Sequence, residues 1–391
     1  MFYERTFVRR LKRPGRHYQG VLCYKDEDGT WKQKTHALEA QTKGAAQVEL
    51  SSWREQEERV HSIIEQHSVD PNCTVADYVD RFVDELERAR SVEPSTVRGY
   101  RGSAKFVREA FGEIRLTDLS PMMVKDWEMS LTERGLSSST VGKAHRLLKQ
   151  SLNEAVDLEV LDRNPVNPVK PPKRKPQKAG INALDAQGCR KLLDQLESME
   201  MTPVSVSAQI ALYTGLREAE VCGLQWRDFS AKDGTLWVRR SIGLAKGGAY
   251  IKTPKTDKVR DVAVSASLKR LLRVWRFAQQ EMFDEHGVEV DSQTYIVGDE
   301  DGFLHPSVLS RGWYQLASLL GVRGCEGRQI TYHDLRHTWA TVYLASGGDV
   351  KTAASNLGHA NAAMTLNVYA SVDPEAKRSA GELIERVMRG A

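Results

Sequence analysis

The chain has 391 residues, enough for two or three domains with separate cores. Hydrophobic residues at 40%, charged residues at 28% and a net charge of +4 describe an ordinary globular protein. No apolar run approaches the ~20 residues of a membrane span, and the N-terminus lacks a signal-peptide core. The five cysteines at 23, 73, 189, 222 and 325 are odd in number and too scattered for a Cys-x-x-Cys metal site. They fit a reducing cytoplasm, where the protein is expected to reside.

The distribution of charge says more than its sum. Residues 1 to 43 hold ten Lys or Arg against five acids, and residues 163 to 178 hold six basic residues and no acid. Clustered basic charge is what a polyanion binder needs.

The chain opens with a predicted three-stranded unit: a strand around Phe7 to Arg10, then Tyr18 to Tyr24, then Trp31 to His36, the last two separated by an Asp-Gly turn signal. A helix over Ala45 to about Ile64 follows, with Val48, Val60, Ile63 and Ile64 as its apolar side. A sheet carrying Arg9, Arg10, Lys32 and Lys34 has the dimensions to enter a major groove. These residues read equally well as a charged, solvated sheet.

Four amphipathic helices are predicted next. Thr74 caps the first, with Val75, Tyr78, Val79, Phe82, Val83 and Leu86 at helical spacing. Ser95 opens the second, Ser120-Pro121 the third, and Ser138 or Ser139 the fourth. They form a small bundle whose Arg98, Arg101, Lys105, Lys143, Arg146 and Lys149 face either DNA or water. Residues 164 to 178 then supply five prolines together with Lys173, Arg174 and Lys175. That composition favours an extended, semi-rigid basic tether, or a plain spacer.

From residue 179 a mostly helical α+β domain is expected. Helices span 184 to 197 and 203 to 214. Three short strands follow, Thr235 to Ile242, Ala249 to Thr253 and Val259 to Val264. Further helices lie near 266 to 285, 306 to 321, 334 to 346 and 349 to 357, then one bearing Tyr369 and a last one after Pro374. His333 and Arg336 are three apart and share one side of a helical turn. His333 and His337 lie at i, i+4 but without the Glu of a zinc-protease helix, and no carboxylate cluster stands in for a metal site.

Taken singly, His333, Arg336, His359 and Tyr369 have ordinary structural readings. Their order and spacing change that. His333-x-x-Arg336, then Leu357-Gly358-His359, then Tyr369 ten residues on, preceded by Thr214-Gly-Leu-Arg217-Glu-Ala-Glu220, resemble the tyrosine recombinases. Within that family the likeness is to integrases of phages and conjugative transposons.

The resemblance implies a multidomain, mainly α protein with small β-sheets. Residues 1–66 correspond to an arm-type DNA-binding domain, 72–163 to a helical core-binding domain, 164–178 to a basic Pro-rich linker, and 179–391 to the catalytic domain with a C-terminal helix exchanged between protomers. It implies a metal- and ATP-independent enzyme without cofactors, in which Tyr369 attacks phosphorus. Arg217 and Arg336 bind the scissile phosphate, and Glu220 orients Arg217. Lys255 protonates the leaving oxygen, with Lys252 and Lys258 as rivals. His333 serves as the base or its orienting partner, and His359 donates a hydrogen bond to the phosphate. The partners implied are double-stranded DNA at core-type and arm-type sites, three further protomers in a synaptic tetramer, an excisionase and a DNA-bending protein. A chromosome-dimer resolvase, a type IB topoisomerase and a catalytically silent DNA-binding regulator are the alternatives.

Overall fold

The computed structural model describes residues 3–13, 16–26, 29–67, 70, 73–173, 181–252, 259–358 and 389. Spatial proximity of backbone positions divides the chain into two compact units, Met1–Val79 with Val107–Trp127 and Leu148–Val169, and Asp80–Phe106 with Glu128–Leu147 and Lys170–Ala391.

The first unit begins with β1 (Arg5–Arg13), β2 (Arg16–Lys25) and β3 (Trp31–Leu38), an antiparallel sheet in the order β1-β2-β3, followed by α1 (Lys43–His67). The three strands were expected, each somewhat shorter than found. The contact face of α1 differs from the expectation. Ala46, Leu50 and Trp53 pack against Val8, Tyr18, Leu22 and Leu38, while Val48 is 69% and Val60 47% exposed. The side chains of Ile63 and Ile64 lie outside the described residues. Small Ala46 lets α1 approach the sheet, and Gly20 takes the contact on the sheet side, where a Cβ would stand 3.0 Å from Leu50.

Strand alternation then sorts the basic residues. In register, Val8 faces Gly20 and His36, and Leu22 faces Lys34, which puts Lys34 on the α1 side. Its ammonium meets Glu57 of α1 at 2.6 Å. Arg10 and Lys32 share that parity, and Lys32 pairs with Asp26 at 2.9 Å. Arg9 has the opposite parity. It lies over Phe7 at 5.8 Å, and on the same open face Arg5 and Lys25 lie over Trp31 at 5.1 and 5.2 Å.

Four helices follow, α2 (Val75–Arg88), α3 (Pro94–Phe111), α4 (Pro121–Glu133) and α5 (Ser138–Asp157). Side-chain caps mark the starts of α2, α4 and α5, while α3, expected to open at Ser95, begins one residue earlier at Pro94. Thr74 accepts from the Asp77 amide at 3.1 Å and Ser120 from the Met123 amide at 3.3 Å, both as expected. The cap of the fourth helix falls early: Ser137, not Ser138 or Ser139, accepts from Thr140 at 3.1 Å. Within the first unit the rings of Phe111 and Trp127 meet at 5.4 Å, and Asn164 ends the α5 region by donating to the Lys149 carbonyl at 2.9 Å. Within the second, Glu128 and His145 form a buried pair.

The larger part of the second unit contains α6 (Ala186–Glu197), α7 (Pro203–Thr214), α8 (Glu218–Val221), β4 (Phe229–Ser230), β5 (Thr235–Val238), β6 (Ser241–Ala245), β7 (Gly248–Lys252) and β8 (Arg260–Ala263). After these come α9 (Ala266–Asp284), β9 (Gly298–Asp299), β10 (Gly302–Phe303), α10 (Pro306–Leu319), α11 (Tyr332–Ala345) and α12 (Val350–Leu357). Helix α7 is the centre. Its Val-Ser-Val-Ser-Ala-Gln-Ile-Ala-Leu stretch is small or apolar all round, and every residue from Ser205 to Leu212 is buried. The hydroxyls in it are satisfied locally, Ser207 on the Val204 carbonyl at 2.7 Å and Thr214 on Ile210 at 2.6 Å.

The expected strand Thr235 to Ile242 is two strands. Trp237 of β5 pairs with Asp261 of β8, whereas Ile242 of β6 pairs with Ile251 of β7. Arg239 and Arg240 make the break. Arg240 turns inward to Asp228 at 2.7 Å and to the Gly223 carbonyl at 3.2 Å, which takes the backbone out of the β5 plane.

Candidate active site: a buried arginine cluster

Two left-handed glycines shape the site. Gly215 ends α7 with φ of 70°, and a Cβ there would meet Trp339 at 2.8 Å and Leu357 at 2.9 Å, so only glycine fits. The reversal it permits brings Arg217 to the N-terminus of α8, where its amide donates to Glu220 at 2.9 Å and its Nη1 to the same carboxylate at 3.0 Å. Gly358, with φ of 62°, ends α12 in the same way.

Helix α11 supplies the second arginine. Thr331 caps it by accepting from the Asp334 amide, and Asp334 returns the favour to the Thr331 amide at 2.7 Å, so Asp334 belongs to the cap. The helix is fixed to α7 by Tyr332, whose hydroxyl donates to the Ser207 carbonyl at 2.9 Å, and by Trp339, which donates to Tyr213 at 3.2 Å. Arg336 is thereby driven inward to 4% exposure. Its Nη1 donates to the Gly215 carbonyl at 2.8 Å and its Nη2 to Leu357 at 2.7 Å.

A third arginine, Arg260 at the start of β8, completes the cluster and was not anticipated from the sequence. Its Nη1 and Nη2 form a fork on Glu220 at 3.1 and 2.7 Å, and its Nε donates to the Asn356 carbonyl at 3.0 Å. Arg217 reaches the Gly358 carbonyl at 3.3 Å. The last carbonyls of α12, at 356, 357 and 358, are thus taken by Arg260, Arg336 and Arg217 in turn. These are the groups a helix leaves without intrahelical donors, at the negative end of its dipole.

Among the described residues, two guanidinium groups, of Arg217 and Arg260, bond to the Glu220 carboxylate, and Arg336 lies nearby on the Gly215 and Leu357 carbonyls. Burial pushes Glu220 upward, but the hydrogen bonds and charge of Arg260, then of Arg217, outweigh it and hold the carboxyl below its ordinary range. Arg336 shows the excess of positive charge: burial, then the neighbouring Arg217, press it down to about 9. A desolvated cluster with surplus positive charge stabilises an anion brought to it, and the fixed forks of guanidinium suit phosphate oxygens.

His333 lies on the first turn of α11, open to solvent on one side while its ring packs edge-on against His337 at 4.6 Å. Desolvation of the ring, then the charge of Arg336, lowers its pKa, so it is neutral at pH 7. His337 is pushed down to about 4 by burial and then by His333. Lys252 ends β7 with its ammonium 5.9 Å from the Tyr250 ring centre. Lys255, Lys258, His359 and Tyr369 lie outside the described residues, as do Arg174, Lys175 and the helix expected after Pro374. His359 is joined directly to Gly358. The described residues contain no group of three or more His, Cys, Asp or Glu able to hold a metal ion, and no helix among them is long and apolar enough to cross a membrane.

Of the basic residues expected on DNA, Arg9, Arg10, Lys32, Lys34, Arg98, Lys105, Lys143, Arg146 and Lys173 are exposed. Arg101 is half-buried between Asp84, at 2.9 Å, and Glu87.

Comparisons with known proteins show the family and the fold. The profile of the phage integrase family matches residues 182–376, and that of the phage integrase SAM-like domain matches residues 74–174. The chain belongs to the phage integrase family, the tyrosine recombinases, enzymes that cut and rejoin DNA strands. It is 26% identical to the ICEBs1 integrase of Bacillus subtilis over 287 residues, covering 73% of this chain and 75% of that protein. With the XerC-like tyrosine recombinase of Caldanaerobacter subterraneus subsp. tengcongensis it shares 27% over 337 residues, 80% of this chain and 83% of the other. Its fold is similar to that of the Tn1549 transposon integrase in complex with transposon right end DNA, with a TM-score of 0.64 at 21% identity, covering 80% of this chain and 99% of that one. A lambda integrase dimer bound to a COC′ core site gives 0.56 at 20% identity, over 93% and 94% of the two chains.

Proposed function

We propose that this recombinase is an integrase that inserts and excises a mobile element through a 3′-phosphotyrosyl intermediate. The observation that carries this reading is the arginine cluster: Arg217 and Arg336, held on the carbonyls around Gly358, present positive charge one residue before His359 and eleven before Tyr369.

A phosphodiester repels nucleophiles by its own charge, so catalysis rests on positioning and on neutralising the charge that develops in the transition state. Arg217 and Arg336 bind the non-bridging oxygens, with Glu220 orienting Arg217. The Tyr369 oxygen forms a bond to phosphorus as the bond from phosphorus to the 5′-oxygen breaks. The tyrosine proton leaves through His333, neutral at pH 7, and Lys255 gives a proton to the departing 5′-oxygen. His359 donates a hydrogen bond to the phosphate. The phosphotyrosyl bond retains the energy of the broken one, so religation needs no ATP, and the chemistry needs no metal.

In this reading residues 1–66 bind arm-type sites, 72–163 and 179–391 grip core-type duplex from two sides, 164–178 lies along phosphates, and four protomers assemble at synapsis in the cytoplasm. An excisionase and a DNA-bending protein set direction. The N-terminal sheet favours this reading over a chromosome-dimer resolvase, which has no need of a separate arm-binding module.

The test is to incubate the protein, and a Tyr369→Phe version, with a nicked duplex carrying the element's end in the presence of EDTA. A denaturant-resistant adduct that disappears in the Phe version is expected. An adduct that persists moves the nucleophile elsewhere, and none from the unaltered protein supports a silent DNA-binding regulator.

A further inference from the structure

The role of Arg260 goes beyond the residues that the family resemblance assigned, and its argument rests on the recombinase reading above. All three of its guanidinium nitrogens donate inward, two to Glu220 and one to the Asn356 carbonyl. Its side chain is 12% exposed. The group lies flat against Gly358, where a Cβ would come within 3.0 Å of its Cζ. Arg217 makes a single side-chain contact to Glu220 and remains 32% exposed. The two arginines share a carboxylate but are arranged for different tasks. Arg217 is the more open to a ligand, whereas Arg260 is largely buried with each of its three nitrogens already donating to the protein.

We propose that Arg260 is a positioning residue for strand cleavage. It locks the Glu220 carboxylate in the one orientation that aims Arg217 at the phosphate, and it anchors the end of α12 from which the segment bearing His359 and Tyr369 departs. Without it, Glu220 rotates towards Arg217, which collapses onto the carboxylate, and the Asn356 carbonyl loses its donor. Arg260 also begins β8, directly after the segment that carries Lys255 and Lys258. A role exerted through Lys255 or Lys258 is therefore the rival explanation, and the leaving group separates the two. A lysine that protonates the 5′-oxygen is dispensable when that oxygen is replaced by sulfur, because a thiolate leaves without a proton. Arg217 is needed with either.

The experiment compares the unaltered protein with Arg260→Ala and Arg260→Lys on nicked core-site duplexes with a bridging 5′-oxygen or 5′-sulfur. It measures the rate of adduct formation at saturating protein, the affinity for the same duplex and the thermal midpoint. Arg260→Ala is expected to lower the cleavage rate about 100-fold, the scale of losing one aligned electrostatic contact, with affinity changed less than about threefold. Arg260→Lys, which restores charge and one donor, should recover part of the rate. The defect should be equal on oxygen and sulfur substrates. A defect relieved by sulfur would overturn the proposal in favour of Lys255 or Lys258. A rate loss matched by equal loss of affinity and of folded protein in both variants would reduce Arg260 to a fold-stabilising residue. An Arg260→Ala protein as fast as the unaltered one would overturn the proposal while leaving the recombinase reading intact. Absence of a Tyr369-dependent adduct from the unaltered protein would overturn both.

Discussion

Arg9 on the N-terminal sheet and Arg336 on α11 are the same side chain in two solvents. Arg9 stands in water beside Phe7, while Arg336 is 4% exposed and gives two hydrogen bonds to fixed carbonyls. In water a charge is screened within about 8 to 10 Å, and an exposed ion pair contributes less than about 1 kcal/mol. Under the function proposed above, the sheet would gather an anion by the sum of interchangeable charges. In the cluster Arg336 and Arg260 are largely withdrawn from water, Arg217 is one-third exposed, and each has its own partners, so none can be exchanged with its neighbour. In the proposed reading the difference is between attracting a polyanion and holding one phosphate in one place.

Three outcomes would break or sharpen that contrast. The largest concerns Glu220. Glu220→Ala leaves Arg217 and Arg260 sharing a dry site without their carboxylate, and should cost about 3 kcal/mol or more in chemical denaturation. A cost under about 1 kcal/mol would place the cluster with the surface pairs. Because the folded Glu220 pKa is depressed, its contribution is present above the ordinary carboxylate pKa of about 4.3 and is lost only as pH falls through the lower folded value.

The next concerns His333. A base must be neutral, and its pKa is lowered by desolvation and by Arg336, so the cleavage rate should stay level through neutrality and fall only below about pH 6.5. His333→Gln should remove that acid limb. A limb centred above pH 7 would mean that the imidazole does not experience the cluster.

The smallest is on the sheet. Arg9→Ala should change folding stability by less than about 0.5 kcal/mol and lower the salt dependence of arm-site binding by about one phosphate equivalent. Lys34→Ala should leave the salt slope unchanged, since its partner is Glu57.

The helices were legible because their caps and apolar spacing are local. Thr74, Ser120 and the Thr202-Pro203 start of α7 carry their own signals. The contact face of α1 was not, because that helix has few apolar residues and Val48 and Val60 outweighed the Ala46, Leu50 and Trp53 that do pack. The division of the basic sheet residues follows from parity once register is known, and register depends on tertiary pairing. Arg217, Glu220 and Arg336 were found through motif spacing. Arg260 was missed although a trace of it was present. In Arg260-Asp-Val-Ala-Val the arginine is in phase with Val262 and Val264, the buried positions, and a charge on the apolar face of a strand requires an internal partner.

The grip on the end of α12 has a last consequence for how this chain tolerates change. The three arginines hold carbonyl oxygens, which every amino acid carries, so the anchor does not recognise side-chain identity at Asn356, whose own amide is no part of it. Gly358 is different, since its left-handed backbone and its contact with Arg260 leave no room for a Cβ. The joint leading to the segment of Tyr369 is thus permissive at one residue and intolerant two residues later, and the boundary is drawn by main-chain geometry alone.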